Sequence, residues 1–409
     1  MLQFLSVQTL GLYIQVPFCQ TKCTYCNFHT GVVSAKRFAP YIDAVCHEIS
    51  HHAELLSSAG VFWPPAFSGQ SLRQAAPGAH RADTVYIGGG TPSLLEPSLL
   101  AAVLESVSQA FACSREEVTL EADPETITRE KAEAWLGAGF NRVSLGAQSF
   151  NDKELKAAGR MHRRADISSA VETLRGAGFR NLTLDLIAGL PHQTEQSWRD
   201  SVESLLQLEP QHISIYMMEI DEGSRLGREA IAGGPRYSAG ELPSDDAMAD
   251  FYARACGWLA AAGFEHYEIS NWAREGFRSR HNLKYWRREP YLGLGAGAHS
   301  FDGRRRWANS HEPAGYVAAI ERGELPTEQE QVVSERQALE EEIFLGLRQL
   351  AGIDLRRLSG GPDAGLLARI EAMRVDGLVI VEGGRLRLAP ERLAVSNEVF
   401  VGLMEAVGA

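Results

Sequence analysis

Three cysteines fall within eight residues, in Phe18-Cys-Gln-Thr-Lys-Cys-Thr-Tyr-Cys26, a Cys-x3-Cys-x2-Cys spacing directly after an apolar run, Leu12–Val16. Thiolates at such spacing ligate metal, and cysteine is the standard ligand of iron–sulfur clusters. A cubane holds four irons, so three cysteines leave one iron without a protein ligand, open to a small chelating molecule. A structural zinc site is the competing chemistry, with His29 completing a Cys3His set. Two observations weigh against zinc. Structural zinc sites usually draw on two separated ligand pairs, and no second pair lies nearby. The triplet also sits at the mouth of a parallel α/β unit, where cofactors bind. The other cysteines, Cys46, Cys113 and Cys256, read as small hydrophobes or surface thiols.

More residues with chemical potential follow. Ile87-Gly-Gly-Gly90-Thr91-Pro ends a second apolar run. A glycine run is commonly only a turn, but here it removes every Cβ where backbone could approach a ligand. Glu121 ends a third run, Gln148 a fourth, and Asp185 lies in a fifth; Arg160 follows shortly after the fourth. Singly, each would be a structural hydrogen-bonder. Together at one end of a sheet they suggest a polar cavity, in which carboxylates accept from hydroxyls or an amine and Arg160 clamps a carboxylate.

These residues need a scaffold. Short runs at Leu12–Val16, Thr84–Ile87, Val118–Ala122, Arg142–Ala147, Leu182–Ile187 and His212–Met217 alternate with helix-like segments, and Glu265–Ile269 is a weaker seventh run. The helical segments are Phe38–Ser58, Leu94–Phe111, Arg129–Gly137, Asp166–Gly176, Gln196–Leu208 and Asp245–Ala262. Such alternation implies βαβ units and a parallel sheet. Gly/Pro-rich stretches at 60–82 and 232–246 read as loops. Toward the C-terminus, Arg336–Leu350, Ile353–Leu358 and Ala364–Asp376 read as helices. A hairpin signature follows, with a Glu-Gly-Gly turn before Arg385. Helices followed by a hairpin are winged-helix-like. DNA binding is one use of that shape; the acidic residues on these helices favour an accessory packing role. The expected division is a barrel core at 1–231, the barrel end at 232–325 and a C-terminal helical plus hairpin domain at 326–409.

The chain's 409 residues allow two or three domains, or one large α/β barrel with an appendage. A net charge of −12 argues against nucleic acid as partner. No apolar run reaches transmembrane length, and Met1–Leu5 carries no basic n-region. A cytoplasmic location is therefore expected, where clustered cysteines serve metals and not disulfides.

The triplet, with an aromatic before its last cysteine, resembles the radical S-adenosylmethionine superfamily. That resemblance implies an α/β fold, a partial (β/α)6 TIM-like barrel, with a 4Fe–4S cluster on Cys19, Cys23 and Cys26. It also implies S-adenosylmethionine at the open iron, reduced there to a 5′-deoxyadenosyl radical with electrons from a donor. The order of motifs, from Tyr13 through Glu-Ala-Asp-Pro, Gly-Ala-Gln-Ser-Phe and Gly-Arg-Met-His to Asp-Leu-Ile-Ala-Gly-Leu-Pro, resembles the oxygen-independent coproporphyrinogen oxidase-like branch. By that resemblance Tyr13, Gly89 and Glu121 contact the cluster-bound cofactor. Tyr25, Gly90, Thr91, Gln148, Arg160 and Asp185 match the lining of a second site for it in the decarboxylating members. Those members carry a further cysteine two residues after the triplet, where this chain has Phe28. His281-Asn-Leu-Lys-Tyr285-Trp286, followed by Gly293-Leu-Gly-Ala-Gly-Ala-His299, is similar to the signature of the HemW-type haem chaperones. This implies a haem carrier that hands haem to acceptor proteins, in place of an efficient coproporphyrinogen dehydrogenase, and is compatible with a homodimer. His281, Tyr285 and Trp286 are the expected haem contacts, with His299 and His266 competing as iron ligand; on local sequence alone, all of them could be ordinary core or hydrogen-bonding residues.

Overall fold

In the computed structural model, residues 9–58 and 81–407 are described. The bulk of the expected loop at 60–82, and the extreme N-terminus, lie outside them; Arg81 already opens a strand. Six parallel strands form in chain order: β1 (Leu10–Val16), β2 (Arg81–Gly89), β3 (Ala112–Ala122), β4 (Arg142–Gln148), β5 (Leu182–Ala188) and β6 (His212–Met217). Each pairs in parallel with the next. The order follows from the short αβ connections, since a strand–helix–strand unit returns its second strand beside the first.

The sheet then extends at both sides. β7 (Glu265–Glu268) and β8 (Asn271–Ala273) add antiparallel beyond β6. The weak seventh run is therefore an edge strand and does not continue the parallel series. β9 (Tyr291–Leu294) joins β1 in parallel, and β10 (His299–Phe301), β11 (Arg305–Asn309) and β12 (Thr327–Val332) follow antiparallel. The twelve-stranded sheet ends on β12 and β7. It is open, as a partial barrel requires.

Period-2 alternation sets the two faces. Leu12, Ile14 and Val16 are buried completely against the helices, as are Val118, Leu120, Leu184 and Ile213. Each such side chain contributes roughly 1.5–3 kcal/mol by leaving water. The intervening residues, Tyr13, Thr84, Tyr86, Thr119, Glu121, Ser144, Asp185 and Ser214, share the other, polar face. Helices keep to the expected spans within a few residues, and hydroxyl caps at Thr128, Thr194 and Ser244 satisfy their first N–H groups.

Beyond the large sheet, helices Glu335–Gly346 and Ala364–Val375 lead into a hairpin of β14 (Val379–Glu382) and β15 (Arg385–Leu388). One expected helix is corrected. Ile353–Leu358 is a two-residue strand, β13 (Ile353–Asp354), and a 3-10 turn at Leu355–Arg357. Ile353 pairs with Leu386 and makes the hairpin three-stranded, which outweighs the local helical pattern. The winged-helix-like shape holds, and helix Ser396–Met404 is added to it.

Candidate functional site: a cavity at the carboxyl ends of the parallel strands

The cysteines lie on the loop after β1. Cys19 N–H donates to Gly31 O at 3.0 Å and Gly31 N–H to Pro17 O at 2.9 Å, closing the loop on itself. Thr24 pins its middle: its N–H donates to Ala158 O and its hydroxyl to Ala157 O. Burial is the main influence on the Cys19 and Cys26 thiols, and it raises both pKa values. Metal must therefore displace their protons.

The glycine run seats this loop. Gly90 N–H donates to Val16 O and Thr91 N–H to Phe18 O, both at 2.7 Å. A Cβ on Gly90 would stand 2.4 Å from Phe18 O. Gly89 has φ +116°, a left-handed conformation that favours glycine, and its N–H donates to Glu121 Oε2 at 2.8 Å. Glu121 Oε1 accepts from Tyr86 Oη, also at 2.8 Å. Burial pushes the Glu121 carboxyl up to about 7 and the Asp185 carboxyl up to about 6. Ser144 donates to Asp185 Oδ2 at 3.2 Å.

Arg160 spans the cavity floor. Its Nη1 contacts Cys23 Sγ at 3.4 Å, and its Nη2 donates to Gly146 O and to Asp123, with which it forms a partly buried ion pair. Thr91 Oγ1 donates to the other Asp123 oxygen at 3.1 Å. Sequence reasoning quoted Asp123 within Glu-Ala-Asp-Pro but assigned it no role; an acid two residues beyond Glu121, at the end of the same strand, was the available signal. Tyr216 and Ser144 also line the cavity and were missed, although both continue the inward alternation of their strands.

Cys19, Cys23, Cys26, Tyr25, Gly89, Gly90, Thr91, Glu121, Gln148, Arg160 and Asp185 thus surround one cavity of about 450 Å³. Tyr13 is not among its walls. Its hydroxyl donates to Gln15 at 2.6 Å, and its ring stacks on Tyr86 at 6.0 Å. Three thiols on one loop around one cavity are the donor set that a 4Fe–4S cubane takes, one thiolate per iron. His29 faces a neighbouring groove, where its ring lies 4.3 Å from that of His311. The donor set therefore fits the cubane.

The His281 motif lies elsewhere. Helix Arg280–Trp286 packs at the amino end of the strands, where a Cβ on Gly11 of β1 would meet Lys284 and His281. Glu117 accepts from the N–H groups of Arg280 and His281 at the helix start. The His281 ring is buried, with Nδ1 2.9 Å from Thr84 Oγ1 and Nε2 2.8 Å from Tyr285 Oη. Burial pushes its pKa down to about 3, so the imidazole is neutral. Trp286 lies beneath the Arg348 guanidinium, 4.5 Å from its ring centre. His266 stacks on Trp272, and His299 is exposed, 6.4 Å from His311 between ring centres.

A half-open parallel α/β sheet with a cysteine triplet at its carboxyl edge defines a radical S-adenosylmethionine protein, and residues 13–205 match the radical SAM superfamily. That fold implies a 4Fe–4S cluster and S-adenosylmethionine. Residues 333–391 match the HemN C-terminal domain. Proteins named heme chaperone HemW are similar along nearly the whole chain. The Bacillus subtilis protein is 31% identical over 95% of this chain and 97% of its own, and the Mycobacterium tuberculosis protein 35% over 97% and 95%. The chain belongs to the HemW family within the radical SAM superfamily. Coproporphyrinogen III oxidase (HemN) from Escherichia coli shares the fold, with a TM-score of 0.78 over 98% of this chain and 90% of its own at 20% identity.

Proposed function

We propose that this chain is a haem chaperone, which binds haem and passes it to acceptor proteins. The observation that carries this reading is full-length kinship with proteins named for that role, at 31–35% identity. Phe28, where decarboxylating relatives have a further cysteine, supports carrier over oxidase; its side chain is 67% exposed.

Cys19, Cys23 and Cys26 hold the cluster in this reading, Gly89 and Glu121 receive the S-adenosylmethionine beside it, and Asp185 lies in the lining that matches the second site. When bound, the pair supplies one-electron reductive chemistry. This chain's residues do the rest. Glu121 and Asp185 accept from the cofactor's cationic amine or its hydroxyls, and Arg160, already held by Asp123, fixes the loop through Cys23. An electron donor for the cluster and the haem acceptors complete the set of partners. Among the described residues no helix is long and apolar enough to cross a membrane.

The test is anaerobic. The cluster is reconstituted, and coproporphyrinogen, S-adenosylmethionine and a reductant are added; no protoporphyrinogen is expected. The same protein loaded with hemin should transfer it to an apo-haem protein faster than albumin-bound hemin does. Sustained decarboxylation without transfer would replace the carrier reading with the oxidase one.

A further inference from the structure

The far side of the cysteine loop forms a wall of a second cavity, of about 810 Å³. It is closed by the turn Ala35–Arg37, the start of helix Phe38–Ser58 and helix Pro313–Glu321. We infer that this groove carries the haem, with the imidazole pair His29–His311 supplying the axial nitrogen. The inference rests on the carrier reading above and names its site.

Three features of the groove match an iron porphyrin. The first is the ligand. The His311 ring sits over Gly297, where a Cβ would come within 3.1 Å of Nδ1, and Nδ1 is buried without a hydrogen-bond partner. Nε2 is thus the nitrogen left for a ligand. The His29 ring, 4.3 Å away between centres, makes no hydrogen bond among the described residues. An imidazole nitrogen free to bind is what haem iron takes as an axial ligand. The His281 ring, by contrast, has both nitrogens engaged and is 1% exposed. The second feature is the wall. Phe28, Val33 and Val317 offer apolar surface to a porphyrin face, and Phe28 is exposed only because nothing covers it. The third is charge. Lys36 and Arg37 line the groove and have no ion-pair partner among the described residues, which suits two propionates. The carboxylates in the lining, Glu312 and Glu321, belong to the other helix, and Glu312 is occupied in capping it through Gly315 N–H. The volume is within the roughly 300–1,000 Å³ of small-molecule sites.

The pair's geometry also dictates how haem leaves. Rings only 4.3 Å apart between centres cannot flank one porphyrin plane, so the pair supplies one axial bond and leaves the opposite face open. An acceptor's own ligand binds that face, the Fe–N bond to this chain breaks, and no electron or proton changes hands. Delivery is ligand exchange.

The test titrates hemin into the cluster-loaded protein, followed by resonance Raman and EPR, which separate haem from cluster. Wild type is expected to bind saturably with one imidazole-ligand signature. His29→Ala/His311→Ala should lose at least tenfold in affinity and lose that signature, and added imidazole should restore it; unchanged iron and sulfide content shows that the fold is intact. Lys36→Glu/Arg37→Glu should weaken binding several-fold with the signature kept. Retention of affinity and signature in the double histidine variant, or their loss in His281→Ala alone, overturns the assignment. Failure of wild type to bind hemin overturns the carrier reading itself, and with it this one.

Discussion

Glu121 and Asp185 lie in one cavity wall, and burial raises both carboxyl groups, to about 7 and about 6. A carboxyl whose pKa is higher folded than unfolded binds more protons in the folded state between the two values. Its contribution to stability is therefore present below about 4.5 and is lost as pH rises through 6 to 7. A cationic ligand reverses the cost, because it favours the ionised form. Binding of S-adenosylmethionine near pH 6.5 should then release about half a proton or more, read by calorimetry in buffers of different ionisation enthalpy. In Glu121→Gln the release should shrink and affinity fall about tenfold, the scale of one hydrogen bond to a charged group. Unchanged release would remove Glu121 as the titrating group. Gly90 makes a second prediction. Its Cβ would meet Phe18 O, a backbone atom that cannot swing aside, so Gly90→Ala should displace the cysteine loop. Iron and sulfide content after anaerobic reconstitution should fall to less than half that of wild type, while the far-UV circular dichroism is kept.

At the scale of elements, the six parallel strands were legible as short apolar runs alternating with longer helix-like segments, and polar residues at the ends of those runs suggested a cavity. The cysteine triplet was legible by spacing alone. The strands from Asn271 to Val332 were not. β8 and β10 have three residues each, too few to show a period, and β12, Thr-Glu-Gln-Glu-Gln-Val, is an exposed edge whose charges carry no apolar alternation. The burial of His281 was hidden for another reason: it depends on a helix meeting β1 and β2 from far along the chain, and no local pattern records that. The Gly-Leu-Gly-Ala-Gly segment has its explanation at this scale. A Cβ on Gly293 would meet His299 O at 2.1 Å, and one on Gly295 would meet Gln15 O and Tyr41 Oη at 2.7 Å, so these glycines let β9 close onto its neighbours. Glu48 locks the same seam. Buried in helix Phe38–Ser58, it accepts from Gly295 N–H, Asn309 Nδ2 and Tyr316 Oη at 2.7–2.8 Å. Glu48→Ala strands three buried donors and should cost about 3 kcal/mol or more, measured by denaturant unfolding.

At the scale of the whole molecule, the C-terminal part is fastened to the sheet by charge as well as by apolar contact. Glu341, on helix Glu335–Gly346, accepts from Arg306 at 2.7 and 2.9 Å and from Arg288 at 2.6 Å. Burial works against the ionised carboxyl, but the two guanidinium groups outweigh it and hold its pKa below the usual value. Both arginines also lie over the Phe301 ring, so the clamp is braced from the sheet side. Its stabilisation is present above the unfolded carboxylate pKa and is lost as pH falls through the lowered one. Glu341→Gln keeps the shape, removes the charge and leaves Arg306 half-buried without a carboxylate and Arg288 with only Glu342, 3.9 Å away, which should cost about 2 kcal/mol. The clamp bridges β11 to the first helix after β12, so the loss should localise there. Limited proteolysis should cut the variant between β12 and Glu335 several-fold faster than wild type, and acidification toward pH 4 should bring wild type closer to the variant. The cluster cavity belongs to the parallel strands, so the variant's iron and sulfide content should stay unchanged. Simultaneous loss of the cluster would mean that the C-terminal part supports the cysteine loop as well as the sheet edge.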